Sequence, residues 1–428
     1  MAAGAEGKGL TAEGAGGSGV PAWSLRVTRW ALVGFVALDP VSISLSQICV
    51  AVGVLSGAVA WAWGRREGRE GGRQFSPGRP LWLPFLLFGA LTVLSALFSE
   101  NVPRSLLDAK QLFQILILYW TLGAAPDAAW ARRLLHLFII VAAAAALYGM
   151  GQFLLGEGEA LARRPRGTLS HFQTFAGVLL LGTVPALSLA VARSVPRRER
   201  WFGVAASVVL VAGLLVSLTR GAWIGLGVGV VVLLALHGRA GWIWVLPVVA
   251  GALYVAGPRD LRERFLLTVR FDEEASGERL RMWRSGLRMM QDHPLLGVGV
   301  DMVKLVYPRY RMEGATRPRT GHLHSNPVQL GAERGLPALA VWVWIWVAFF
   351  RGGGRAFGDL RRREGRGPPA EVVAASLATV AAFLTAGLVE YNFGDSEVVM
   401  MVYFFLSIPF LAARDASSAP AAGGFSGN

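Results

Sequence analysis

Residues 204–236 read VAASVVLVAGLLVSLTRGAWIGLGVGVVVLLAL, and Arg220 is the only charged residue among them. Two apolar blocks, Val204–Val216 and Ile224–Leu236, flank the turn Ser217-Leu218-Thr219-Arg220-Gly221-Ala222-Trp223. With flanking residues added, each block approaches the ~20 residues that carry a helix across a hydrocarbon core. Ala338–Phe350 is a third block of the same kind. Of the 428 residues, 54% are hydrophobic and 16% charged, against about 25% charged in an ordinary soluble domain. A water-soluble fold of this size cannot hide so much apolar surface, so lipid is its solvent. The expected fold is an all-α polytopic membrane protein.

The formal charge of +14 does not point to nucleic acid, because the arginines lie between hydrophobic blocks rather than along one soluble face. The single cysteine, Cys49, lies in an apolar stretch and excludes disulfides and cysteine-based zinc sites. Residues 1–24 are rich in Gly and Ala and lack a cleavable apolar core, which reads as a disordered cytoplasmic tail and not a signal peptide.

Charged and Pro/Gly-rich punctuation divides the rest into about twelve transmembrane helices, near 26–39, 42–63, 81–98, 107–123, 133–154, 171–192, 201–218, 221–236, 241–256, 328–350, 371–390 and 397–413. The expected organisation is nine spans within 25–256, a long segment at 257–327, three spans within 328–413, and a second cytoplasmic tail at 414–428. Basic connections at 64–80 (Arg65, Arg66, Arg69, Arg73, Arg79), 193–200 (Arg193, Arg197, Arg198, Arg200) and 351–370 (Arg351, Arg355, Arg361, Arg362, Arg363, Arg366) mark the cytoplasmic side. Segment 257–327 then lies outside.

The polar residues gather on that outer face. Holding Arg220 at the membrane interface costs about 2.5–3.5 kcal/mol unless it snorkels; it reads either as an interfacial arginine beside the anchoring Trp223 or as an anion clamp. In the outer segment Ser276-Gly277-Glu278 precedes a helix that runs to Asp292 and stops at His293-Pro294. Leu280, Trp283, Leu287 and Met290 share one face of it, with Arg281, Arg284 and Arg288 alongside, as in a helix lying among lipid headgroups. Arg279 falls elsewhere, near Met282 and Gly286, on a face small enough for close approach. Arg163, Arg164 and Arg166 add positive charge. Glu390-Tyr391-Asn392-Phe393-Gly394-Asp395-Ser396-Glu397 offers groups, Asn392 and Asp395 among them, that bind sugar hydroxyls or pair with the arginines. His322-Leu323-His324-Ser325-Asn326-Pro327 closes the segment, and a histidine at a membrane mouth is suited to taking a proton from a sugar hydroxyl.

Taken together, these segments resemble the O-antigen ligase family over most of the chain, from about 30 to 412. The most specific piece is His324-Ser325-Asn326-Pro327-Val328-Gln329 followed by Glu333-Arg334-Gly335-Leu336-Pro337, similar to the family's His-Asn/Ser motif with its spaced glycines. Thr219-Arg220-Gly221-Ala222-Trp223, Arg279-Leu280-Arg281-Met282-Trp283 and Asp292-His293-Pro294-Leu295-Leu296-Gly297-Val298-Gly299 accompany it in order. One departure is Ser325, where many relatives carry Asn. The resemblance implies a GT-C-like glycosyltransferase in the bacterial inner membrane, with its active site facing the periplasm. It would move a glycan, with inversion and without metal or cofactor, from undecaprenyl diphosphate to a sugar hydroxyl of lipid A-core in lipopolysaccharide biosynthesis. Arg220 and Arg279 would hold the diphosphate and His324 would act on the acceptor. Arg284 is the reserve for Arg279, and Arg163, Arg166, Asn326, Gln329, Asn392 and Asp395 are further substrate-binding candidates. The close rivals are an O-antigen polymerase or a protein O-oligosaccharyltransferase using the same donor. A transporter of lipid-linked sugars is the rival of another class, disfavoured because the spans themselves carry few polar residues.

Overall fold

The computed structural model describes residues 22–66, 80–157, 163–257, 262–263, 273–365 and 367–418. Most of both expected tails, together with Arg69, Arg73, Arg79 and Arg366, falls outside the described residues. Among the described residues all regular structure is helical. In chain order the α-helices are α1 (Ala22–Leu38), α2 (Ile43–Arg66), α3 (Trp82–Leu97), α4 (Val102–Asp108), α5 (Leu116–Ala124), α6 (Ala128–Leu155), α7 (Phe172–Val191), α8 (Arg197–Val216), α9 (Arg220–Leu236) and α10 (Val245–Ala256). They are followed by α11 (Glu273–Asp292), α12 (Val303–Tyr310), α13 (Asn326–Glu364), α14 (Pro368–Ala386) and α15 (Ser396–Ser418).

Seven of these, α2, α6, α7, α8, α13, α14 and α15, are long and apolar enough to cross a membrane. The other expected spans form shorter helices. At 1.5 Å per residue the 17 residues of α9 reach about 25 Å, short of the ~30 Å core. The span expected at 107–123 is broken, because a 3₁₀ stretch at Ala109–Ile115 separates α4 from α5. Such a break is invisible to an apolar count.

The spanning windows of α7, α14 and α15 are 78%, 78% and 83% buried, so these three helices form the centre of the bundle. Helix α9 packs on α14 through Gly225 and Gly229. Ideal Cβ atoms there would fall 2.6 Å from the Ala382 carbonyl oxygen and 2.9 Å from the Ala382 Cβ. Small residues at helical spacing bring two helix backbones this close in lipid, where packing replaces the hydrophobic effect between helices.

Short connections alternate the helix directions, so the bundle has two chemically different ends. At one, Arg132 pairs with Glu199 at 3.1 Å and His237 with Glu371. There the Arg361 Nη1 donates to the Leu236 carbonyl at 3.1 Å and the Arg414 Nη1 to the Leu122 carbonyl at 2.7 Å, covering the last carbonyls of α9 and α5. The other end gathers the starts of α7, α9 and α15, the end of α14, and segment 273–325.

Within that segment α11 is described from Glu273 and already includes the expected start near Ser276. Its Leu280 and Leu287 are exposed, while Met282, Ser285, Gly286, Met289 and Met290 are buried. The helix is therefore docked on protein along its small-residue face. A Cβ at Gly286 would lie 2.5 Å from Val328.

Helix α13 is interrupted at Gly335, with φ 78° and ψ 171°, a region open to glycine almost alone. A Cβ there would meet the Leu295 carbonyl oxygen at 2.3 Å. Gly335→Ala is expected to cost about 1–3 kcal/mol in backbone strain alone and to lower the thermal midpoint in detergent. Gly354→Ala, in the same helix with open space around it, should leave the midpoint at or above wild type. Equal midpoints for both variants would contradict the break.

Candidate active site

A cavity of about 770 Å³ opens at the end of the bundle opposite the Arg132–Glu199 pair. Its walls come from the loop before α7, the starts of α7, α9 and α11, residues 317–324, and the connection from α14 to α15. Five arginines line it: Arg164, Arg220, Arg279, Arg317 and Arg319. His171, His322, His324, Glu278, Glu390, Asn392 and Asp395 share the same walls.

Arg220 is the first residue of α9. The first N–H groups of a helix have no intrahelical partner and, with the helix dipole, favour an anion. Thr219, Arg220 and Ala222 all border the cavity, so a guanidinium and a helix N-terminus reach it from the same element. Leu218, two residues before, is held at φ 52°, and the turn is tied by the Ser217 hydroxyl donating to the Leu214 carbonyl at 2.7 Å. Gly221 leaves room for the Glu390 side chain, whose Cγ would sit 2.9 Å from an added Cβ.

Glu390 joins three elements. Its Oε1 accepts from the Arg279 Nη2 at 2.6 Å, and its Oε2 lies 3.3 Å from the His324 Nδ1. Gln173 of α7 also donates to Oε2. Burial pushes the Glu390 carboxyl up, but the hydrogen bond from His324 and the charge of Arg279 outweigh it and hold the carboxyl below its ordinary value of 4.5. With Nδ1–H turned to this carboxylate, the His324 Nε2 carries the lone pair. His324 itself sits at φ 52°, a left-handed conformation that costs of order 1–3 kcal/mol and that surrounding contacts must enforce.

Those contacts are dense. The Asn326 Nδ2 donates to the Asn392 Oδ1 at 2.7 Å, the Phe393 N–H to the Asn326 Oδ1 at 3.0 Å, and the Asn326 N–H to the Gly387 carbonyl at 2.7 Å. The Leu323 N–H donates to the Gln329 Oε1 at 2.8 Å, and the Gln329 Nε2 to the Glu333 Oε1 at 2.8 Å. The start of α13 is thereby fastened to the loop carrying Glu390. On the opposite wall the Glu278 carboxylate accepts the N–H groups of Thr316 and Arg317 at 3.0 and 3.2 Å, which fixes the strand of chain bearing Arg317 and Arg319. Asp395 is pushed up to about 7 by burial, then by Glu397 and Glu390.

The residues singled out in the sequence divide into three groups. Arg220, Arg279, His324, Asn392 and Asp395 come together around the cavity. Asn326 and Gln329 are buried in the scaffold behind it. Arg284 and Arg166 are exposed and do not border the cavity, and Arg163 turns to the Phe153 ring, 4.8 Å from its centroid. Arg164 is the member of that run in the wall, stacked 3.8 Å over Phe172. Sequence reasoning passed over Glu390 as an individual, His171, Gln173, Arg317 and Arg319. The doublet Arg317-Pro318-Arg319, just ahead of the histidines, was the available signal.

Residues 205–343 match the O-antigen ligase family model. The matched region runs from α8 into α13 and contains Arg220, Arg279 and His324, whereas Arg164, Gln173 and Glu390 lie outside it. A search of curated proteins finds no match to the chain. The match covers about a third of the chain, and the family it points to is that of O-antigen ligases.

Glu390 gives a pH test. A carboxyl whose folded pKa is depressed contributes stability that is fully present above its unfolded value and lost as pH falls through the folded one. The advantage of wild type over Glu390→Gln in thermal midpoint should therefore persist down to about pH 4.5 and shrink below it. A difference that stays constant through pH 3.5 would show that the carboxylate charge does not support the fold.

Proposed function

We propose that the protein is an O-antigen ligase, transferring a glycan from undecaprenyl diphosphate to a sugar hydroxyl of lipid A-core at the periplasmic face of the bacterial inner membrane. The observation that carries this reading is the meeting of Arg220, Arg279 and His324 around one cavity, with Glu390 bonded to both Arg279 and His324. The arginine-paired end of the bundle, near 193–200 and 361–371, would face the cytoplasm by the positive-inside rule.

The chemistry follows from the donor. As the anomeric carbon–oxygen bond breaks, negative charge grows on the departing diphosphate. Arg220, Arg279 and the first turn of α9 offer fixed positive charge and N–H donors to it, worth far more in a water-poor cavity than in bulk solvent. The acceptor hydroxyl is a poor nucleophile. His324 Nε2 takes its proton while the oxygen attacks the anomeric carbon from the side opposite the diphosphate, inverting that centre. Glu390 stabilises the imidazolium that forms and fixes the tautomer that leaves Nε2 basic. The two substrates leave as undecaprenyl diphosphate and glycosylated lipid A-core, and the proton passes from His324 to solvent. The chain's own arginines perform the charge neutralisation that a divalent metal supplies elsewhere, so the reaction proceeds without one.

Purified protein, given undecaprenyl-diphosphate oligosaccharide and lipid A-core, should produce core-linked glycan. His324→Ala should retain donor binding and lose about 10²–10⁴-fold in transfer, the usual range for a general base. Arg220→Ala and Arg279→Ala should weaken both donor binding and transfer. Longer diphosphate-linked chains without modified core would make the protein a polymerase, and glycan on protein Ser or Thr an oligosaccharyltransferase. Unimpaired transfer by His324→Ala would remove the base.

A further inference from the structure

Residues 322–324 present two imidazoles to the cavity, and only one has a partner in the mechanism above. Leu323 points the other way, fully buried in a cluster with Met282, Met289 and Tyr307. Its N–H is held by Gln329, and the Thr320 hydroxyl donates to the His322 carbonyl at 2.8 Å. With the middle residue anchored, His322 and His324 both border the cavity, their ring centroids 4.2 Å apart at 65°. Tyr391 backs His322 at 5.9 Å. The His324 Nδ1 is engaged by Glu390, and the Nδ1 of the third cavity histidine, His171, accepts the Gln173 N–H at 3.2 Å. The His322 Nδ1 is buried and has no hydrogen-bond partner. A buried polar nitrogen left unpaired is costly, and a turn of the ring into the cavity that His322 borders would let a ligand atom pair it.

We infer that His322 is a substrate-positioning residue that holds the hydroxyl adjacent to the attacking one, so that the two imidazoles together select an acceptor sugar with neighbouring free hydroxyls. The inference rests on the reading of His324 as the base. Two rings packed this closely cannot address distant parts of a glycan, whereas adjacent hydroxyls of one sugar ring lie within reach of both. Burial, and then the neighbouring His324, push His322 down to about 4, so it stays neutral at physiological pH. A neutral imidazole accepts from a hydroxyl or donates to it according to tautomer. It adds no charge beside an imidazolium forming on His324. The proton of the attacking hydroxyl still goes to His324, and His322 ends the cycle as it began.

The experiment uses lipid A-core whose acceptor sugar is synthesised intact or lacking one hydroxyl at a time, with the full-length protein and its undecaprenyl-diphosphate donor. For wild type, removing the hydroxyl next to the attachment point should lower kcat/KM for the acceptor by about tenfold or more. Removing a more distant one should have a smaller effect. In His322→Phe, which keeps a planar ring without nitrogen, the intact acceptor should lose a similar factor and the adjacent deoxy acceptor nothing further, while KM for the donor is unchanged. His322→Asn should restore part of the discrimination. Equal use of the intact and adjacent deoxy acceptors by wild type would overturn the inference, and that comparison needs no variant to fold. Losses that multiply in His322→Phe would overturn it as well. Wild type that transfers no glycan to intact lipid A-core would refute the ligase reading and this inference with it, a result distinct from active enzyme without hydroxyl discrimination.

Discussion

The cavity depends on one carboxylate. Glu390 is 8% exposed and is bonded through different oxygens to Arg279 and His324. A buried charge is tolerable only when paired and hydrogen-bonded, and here the pairing orders both partners. Without Glu390, Arg279 would share a low-dielectric space with four other guanidiniums and lose the carboxylate it contacts, and His324 would lose the acceptor that fixes its tautomer. The position of Glu390 is itself a product of helix packing. Gly225 and Gly229 let α9 approach α14, setting the end of α14 beside the start of α9, and Gly221 leaves space for the side chain. A glycine stripe inside the bundle thus controls the electrostatics at its mouth.

The helices were legible in the sequence wherever a long apolar block was bounded by charge or turn residues. Ile224–Leu236 became the body of α9, and the expected span at 171–192 became α7 almost residue for residue. The shortfalls have physical causes. Composition registers how apolar a stretch is and not whether its hydrogen bonds stay in α register, so the 3₁₀ interruption at Ala109–Ile115 was hidden inside an apparently continuous span. The break in α13 at Gly335 was equally hidden. The glycine was visible, but its positive φ answers to the Leu295 carbonyl, forty residues away, and only the tertiary structure brings the two together.

The site was legible where a residue type is expensive in its setting. Arg220 between two apolar blocks stood out for that reason and borders the cavity, while His324 was singled out by its place at a membrane mouth near arginines and borders the cavity too. In runs rich in arginine the sequence could not say which side chain turns inward. Among residues 163–166 the choice falls on Arg164, because Phe172 offers its ring there while Phe153 takes Arg163. Asn326 and Gln329 illustrate the converse. Their polarity at the motif invited a substrate role, and their hydrogen bonds go instead to Asn392, Gly387, Glu333 and neighbouring backbone groups. Holding His324 at φ 52° needs such a scaffold, and amides serve it well because each side chain both donates and accepts.

On the proposed reading, the shared carboxylate also links donor binding to the placement of the base. Glu390 divides its charge between Arg279 and His324, and Arg279 is the nearer partner at 2.6 Å against 3.3 Å. A diphosphate arriving beside Arg279 competes for the guanidinium. To the extent that Arg279 turns to the diphosphate, Oε1 of Glu390 is released while Oε2 keeps its contact with the His324 Nδ1, so the donor is gripped without freeing the histidine. The separation of roles between the two oxygens of Glu390 makes this possible, since one can loosen its partner while the other holds.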